Sequence, residues 1–402
     1  MPKPHYLLAL ISLMTLPLFA DSSYSAIEVG PFKVGGAVRA NYVKGDYTAP
    51  SPNYSGAYRG ATWGDVELDT VRINIDLEEG PYIGKFEYRW YDGYSFIHTA
   101  WLGYKFEEYG QIKAGITRVP FGPGAYGVSN SWFFDQHYYV GLSDDMDLGV
   151  KYSTSIENLT LDFAYFYSGG PNGIGNSAQG TRYGYDVALW ESNIGSDGSV
   201  SGASLNGWEE RNQFNFRAIY DLKHTKVGLS LLYGGLEGTH VKDGTRTAVS
   251  AHMQNFWNNF TLQTQLTWYK MDVESTDALV PMGGFDFTWP VASQAWLPAV
   301  TLSYKFETPG ISWLDYALPY IEYSSIIKND ASQNNSDLFV VGSAWSRGNW
   351  YIYTDMAYSN GNYFVGDVGD DYSNVYEGVG DFGANGNDRW NYRFNLNLGF
   401  YF

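Results

Sequence analysis

The chain has 402 residues, no cysteine and a formal net charge of -18. That charge excludes a phosphate-backbone binder, which needs concentrated lysine and arginine, so nucleic acid is not an expected partner. The absence of cysteine excludes disulfides, thiolate catalysis and thiolate zinc sites.

At the N-terminus, Lys3 precedes an apolar run from Tyr6 to Leu18, and small residues follow at Ala20 and Ser22. The run is too short to span a bilayer and has the pattern of a secretory signal peptide. Residues 1–20 are therefore read as a leader, with cleavage after Ala20 or Ser22, and 21–402 as one domain. No later stretch is long and apolar enough for a transmembrane helix. A negative mean hydropathy does not argue against a barrel, in which only alternate strand residues meet lipid.

Period-two alternation then runs along the chain. Val34, Val38, Ala40 and Tyr42 oppose Lys33, Arg39 and Asn41, and Val71, Ile73 and Ile75 oppose Arg72, Asn74 and Asp76. Phe86, Tyr88 and Trp90 oppose Lys85, Glu87 and Arg89, while Phe214, Phe216 and Ala218 oppose Asn215 and Arg217. The last segment repeats the pattern, with Phe394, Leu396, Leu398, Phe400 and Phe402 on one face and Arg393, Asn395 and Asn397 on the other. Helical spacing explains none of these as well as a strand does. Short turns alternate with long polar connections at Lys44–Gly64, Arg118–Met146, Gly169–Glu210, Met271–Gln294 and Ser359–Asp388. The fold class is therefore all-β: a transmembrane antiparallel β-barrel of about sixteen strands, its apolar phase against outer-membrane lipid and its termini at the short-turn end. A soluble β-sandwich also alternates, but so many strands with one oily face do not fit one small sandwich.

The segments "LDTVRINIDLEEGPYIGKFEYRW" (Leu68–Trp90), "AWLGYKFEEYGQIKAGITRVPFGP" (Ala100–Pro123) and "MDLGVKYS" (Met146–Ser153) resemble Gram-negative outer-membrane porins, most closely the phosphate-selective porin O and P family. The resemblance implies a sixteen-stranded, usually trimeric barrel that passes small hydrophilic solutes passively. It also implies a third loop folded into the lumen and a C-terminal Phe402 read by the barrel-assembly machinery. Independently of the family, the Arg118–Met146 connection carries "SWFFDQHYY" (Ser131–Tyr139), whose aromatics could anchor it on the barrel wall. The short second loop, Tyr91–Ser95, would weaken subunit latching if the family uses that loop across its interface.

Selectivity comes from lining charge and width. The polar phase carries Lys33, Arg39, Arg72, Lys85, Arg89, Lys113, Arg217 and Arg393, with Arg118 at the mouth of the third loop. Asp135, Asp144, Asp145 and Asp147 are placed in that loop, so the expectation is a basic wall facing an acidic loop, with a transverse field between them. The third loop lacks the lysine cluster of the phosphate-selective pattern. That departure points to a general, weakly selective pore, and the acidic total charge to a mild cation preference, with a phosphate- or anion-selective or a carbohydrate pore as the alternative. For sugars, Trp101 and Tyr269 have the lumen phase.

An embedded hydrolase or a surface adhesin are the rivals from other classes. No G-x-S-x-G or H-E-x-x-H motif occurs, and His98 and His252 have no serine or aspartate at a recognisable spacing, so no catalytic residue, cofactor or metal ligand set is assigned. The acidic Gly366–Asp388 stretch lacks EF-hand spacing and reads as a solvated loop.

Overall fold

The computed structural model describes residues 27–46, 63–190, 193–194, 200–201, 206–275, 278–308, 310–331, 333–362, 364–366 and 390–402. The residues read as a leader and most of the Gly366–Asp388 stretch lie outside them. Sixteen antiparallel strands close into a barrel. They are β1 (Phe32–Gly45), β2 (Asp65–Glu79), β3 (Tyr82–Trp90), β4 (Ser95–Phe106), β5 (Gly110–Arg118), β6 (Met146–Ile156), β7 (Leu159–Ser168) and β8 (Gly207–Asp221). The circuit continues with β9 (Thr225–Thr239), β10 (Gly244–Trp257), β11 (Phe260–Asp272), β12 (Gln294–Tyr304), β13 (Tyr316–Lys328), β14 (Ser336–Arg347), β15 (Trp350–Ser359) and β16 (Asn391–Tyr401). Each pairs with the next, and β16 returns to β1 in the register Ala37↔Tyr401, Asn41↔Asn397, Gly45↔Arg393.

Closure has a physical cause. An unpaired backbone group in hydrocarbon costs several kcal/mol, so a spanning sheet cannot keep an edge. At the seam, Phe402 and Gly36 exchange backbone hydrogen bonds of 2.7 and 3.0 Å. A Cβ on Gly36 would come within 2.5 Å of the Arg72 carbonyl oxygen and 2.7 Å of the Phe402 ring, so only glycine fits beneath that ring.

The barrel is inside-out relative to a soluble domain. Leu102, Leu148, Phe163, Phe214, Leu229, Leu266 and Leu302 are exposed on the outer wall, whereas Asn41, Thr117, Asn215, Ser250, Gln263 and Asn397 are buried inside. Exposed aromatics ring both ends: Tyr82, Tyr109, Trp257 and Trp350 near the short turns, and Trp90, Tyr167, Trp296 and Tyr358 near the long loops. Such girdles sit at the two membrane interfaces of a spanning barrel.

The third loop enters the lumen as its aromatic content suggests, but it does not enter alone. The connection after β7 and the one between β11 and β12, read from the sequence as polar loops, also turn inward. Leu279–Gly284 and Phe287–Ala292 form a hairpin whose first strand pairs with Asp186–Val187. Val280, Met282, Trp289 and Val291 are at most 1 % exposed there, so these residues form an apolar core within the barrel. The turn is Phe285–Asp286, both at positive φ, between the paired Gly284 and Phe287, and the sequence marks it only indirectly, by Gly283–Gly284 just before it.

Candidate functional site: an eccentric lumen beside the closing seam

The third loop crosses from β5 and β6 to the far wall and is held there by side chains of the lumen phase. Glu322 on β13 accepts hydrogen bonds from Ser129 Oγ at 2.7 Å and the Asn130 amide at 2.5 Å. Asp355 on β15 accepts from the Trp132 amide at 3.0 Å. Ser324 Oγ accepts from the Gln136 amide, Ser230 Oγ from the Gly122 amide, and Gln263 donates to the Val128 carbonyl. His137, with Nδ1 bound to Asp135 and Nε2 2.9 Å from Thr267 Oγ1, pins the short helical turn Tyr138–Val140. Gly141 ends that turn at φ +65, where a Cβ would collide with the Tyr185 carbonyl oxygen. The loop thus covers the β9–β15 side of the barrel.

What remains open is a cavity of about 1040 Å³ along β1–β6, running from Lys33 and Phe402 at the short-turn end to Tyr91 and Tyr94 at the other. Its wall carries eight cations, Lys33, Arg39, Arg72, Lys85, Arg89, Lys113, Arg118 and Lys151. Five carboxylates share the lining: Glu67, Asp69, Asp76, Glu87 and Asp92. The loop face opposite presents Tyr126, Ser129, Ser131, Trp132, Phe134 and Tyr138.

Most of the cations are neutralised in place. Arg39 pairs with Asp69 at 2.8 Å, Lys85 with Asp76 at 3.1 Å, and Glu87 holds Arg89 at 2.6 Å and Arg72 at 3.5 Å. Arg118 pairs with Asp144 at 2.6 Å. Lys113 and Lys151 have no carboxylate within ion-pair distance among the described residues. Lys113 Nζ lies 4.1 Å from the centre of the Trp101 ring, and Lys151 donates to the Arg118 carbonyl at 2.6 Å.

Arg39, Arg72, Lys85, Arg89, Lys113 and Arg118 come together here, as the alternation suggests, and Lys151 joins them although no pattern singled it out. The acidic residues do not stand opposite. Asp135 is turned into its own loop, accepting from the Val128 and His137 amides; Asp144 lies behind Arg118 and Tyr183; Asp145 and Asp147 lie at the loop's base, away from the cavity. Asp147 is a residue of β6, not of the loop. The expected acidic face is corrected to an aromatic and hydroxylic one: Asp135 is satisfied by amides of its own loop, Asp144 by Arg118 and Tyr183, and Asp145 and Asp147 are buried at the loop's base. Arg217 pairs with Asp162 at 2.7 Å, and Arg393 lies beneath Trp132, 4.7 Å from its ring, donating to the Phe364 carbonyl. Neither lines the cavity. Trp101 lines it, whereas Tyr269 is buried and donates to the Ala292 carbonyl of the inner hairpin. His252 lies 3.3 Å from Ser230 Oγ with no carboxylate hydrogen-bonded to it among the described residues, and Ser230 is fully buried.

The architecture is that of an outer-membrane β-barrel with lumen-filling loops. Comparison with solved structures gives the same class. The chain is similar to OmpT of Vibrio cholerae in a trimer form, with 13 % identity, 93 % of this chain and 100 % of that one covered, and a TM-score of 0.55. It is similar to the anion-selective porin of Comamonas acidovorans (11 % identity, 92 % and 99 % covered, TM-score 0.53). It is also similar to the outer membrane channel DcaP of Acinetobacter baumannii (9 % identity, 92 % and 97 % covered, TM-score 0.55). At these identities the likeness is one of fold. No family model matches the chain, and no curated protein matches it.

Proposed function

We propose that the protein is an outer-membrane porin in which small hydrophilic solutes diffuse passively along the β1–β6 wall, with anions favoured over cations. The carrying observation is the cation-rich lining, eight basic side chains against five carboxylates, in a chain whose total charge is strongly acidic. Lining charge, not total charge, sets the local potential that an ion meets, and low-dielectric walls focus it. This replaces the mild cation preference expected from total charge. The facing aromatic and hydroxyl groups narrow the path and add hydrogen-bonding groups without countercharge. Dense lysine recognition of phosphate is not part of the proposal, because of the eight lining cations only Lys113 and Lys151 lack carboxylate partners among the described residues. A homotrimer is part of it, supported by the trimer form stated for the Vibrio cholerae protein. Catalysis is not, since Ser230 and His252 lie under the third loop and lack an orienting acid.

The test is the reversal potential of the reconstituted protein in a planar bilayer under a potassium chloride gradient. A steady conductance with the anion sign supports the proposal. A cation sign overturns the charge argument, and no conductance overturns the porin reading in favour of an adhesin or enzyme.

A further inference from the structure

At the base of the third loop, where it rejoins β6, the carboxylates of Asp145, Asp147 and Asp186 converge so that one oxygen of each lies within 4.8 Å of the others. All three are at most 2 % exposed, and none lines the cavity. Glu210 on β8 adjoins them. The oxygens that are satisfied are satisfied from outside the cluster. Asp147 Oδ2 accepts from Gln213 at 3.1 Å, Asp186 Oδ2 accepts from Arg182 and from the Gly170 amide, and Glu210 Oε1 accepts from Arg246 and from the Val187 amide at 3.0 Å. The remaining oxygens have no hydrogen-bond partner: both of Asp145, Oδ1 of Asp147, Oδ1 of Asp186 and Oε2 of Glu210. Buried carboxylates are ordinarily paired or bound to metal, and five bare oxygens in one region are an exception that needs a cause.

The charges do not close either. Four carboxylates face two guanidiniums, Arg182 and Arg246, and the latter is also bound to the Val140 and Gly141 carbonyls. The deficit is two positive charges.

We infer that this cluster is a binding site for one divalent cation, of the hard, oxygen-seeking kind, with calcium favoured. Calcium takes six to eight oxygen ligands in irregular geometry, whereas magnesium demands a small octahedron and keeps its waters. An all-protein set rich in carboxylates suits calcium. The ion would tie three chain segments together: the exit of the third loop, the connection carrying Asp186, which pairs with the inner hairpin, and the wall strand carrying Glu210. It would therefore lock the loops that narrow the lumen. The inference does not depend on the direction of ion selectivity.

The test uses the full mature chain, refolded into detergent with calcium, with magnesium or with chelator, and measured by calorimetric titration and thermal unfolding. About one calcium per chain is expected, with a melting point several degrees higher than in chelator and a smaller response to magnesium. Asp145→Asn/Asp147→Asn should abolish both the binding and the shift. Asp145→Asn alone removes no hydrogen bond, so it should fold even if the double variant does not, and it should weaken binding at least tenfold. Asp370→Asn/Asp371→Asn, in the acidic loop, should change neither readout. Absence of binding overturns the inference, as does a calcium shift that survives in Asp145→Asn or disappears in Asp370→Asn/Asp371→Asn. Stabilisation by acid alone, with no calcium effect, overturns it in favour of shared protons.

Discussion

Lys151 Nζ donates to the backbone carbonyl of Arg118 across the β5–β6 ladder, 2.6 Å away, and so is held in the lumen by a neutral group. Its charge is oriented but not cancelled. Lys113, one strand back, is placed in the same way by the Trp101 ring. Of the lining cations, these two have no carboxylate within ion-pair distance among the described residues.

Replacing both, Lys113→Gln/Lys151→Gln, should therefore lower the chloride-over-potassium permeability ratio about twofold or more, while conductance changes less. Reversal potentials at low and high salt check this, and the difference should shrink as salt rises. Arg39→Gln should move selectivity in the same direction and cost stability as well, because it removes the ion-pair partner of Asp69 and leaves that carboxylate only its hydrogen bonds from Trp132 Nε1 and Asn397.

Glu322 holds the third loop through Ser129 and Asn130. Glu322→Ala leaves the buried Asn130 amide without an acceptor and Ser129 Oγ with only the Ser131 hydroxyl, at a cost of about 2 kcal/mol. The expected result is a lower urea midpoint of unfolding and larger current fluctuations at constant voltage. Glu322→Gln keeps an acceptor oxygen and should fall between the two.

Trp132 projects between the passage and Arg393, and its amide is fixed by Asp355. Trp132→Ala should widen the passage, raising single-channel conductance and the size of sugar admitted in a liposome-swelling assay. An unchanged size limit would place the narrowest point elsewhere.

The exchange of backbone bonds between Phe402 and Gly36 completes the last rung of the barrel. Deletion of Phe402 should reduce the heat-modifiable, folded form recovered from membranes more than it reduces the melting point of the barrels that do form. A loss confined to melting point would assign Phe402 to stability instead of assembly.

The wall was legible because lipid and water impose opposite demands at every second residue. Phe394 beside Arg393, or Leu266 beside Gln265, can be assigned to a face without knowing any neighbour. The lumen was half legible. Alternation placed Arg72, Arg89 and Lys113 inside, yet it cannot say which residues meet across a barrel, and that is where the expectation for Asp135, Asp145 and Asp147 failed. Asp147 follows a partner from a distant segment, Gln213, whereas Asp135 turns back onto amides of its own loop and the Asp145 carboxylate has no hydrogen-bond partner among the described residues. The inner hairpin was missed for another reason. Its apolar runs are too short to stand out between longer strands, and a lumen offers them burial that a chain viewed one segment at a time does not reveal.

The passage follows the junction of β1 and β16, with Arg39 and Tyr401 both on its lining. The first and last strands of the domain thus supply part of the route, and that route exists only once the chain's two ends have found each other. A barrel arrested before that meeting would lack one bank of its own channel. Permeability is thereby tied to completion of the fold, and a half-made molecule has no finished conduit through which to leak.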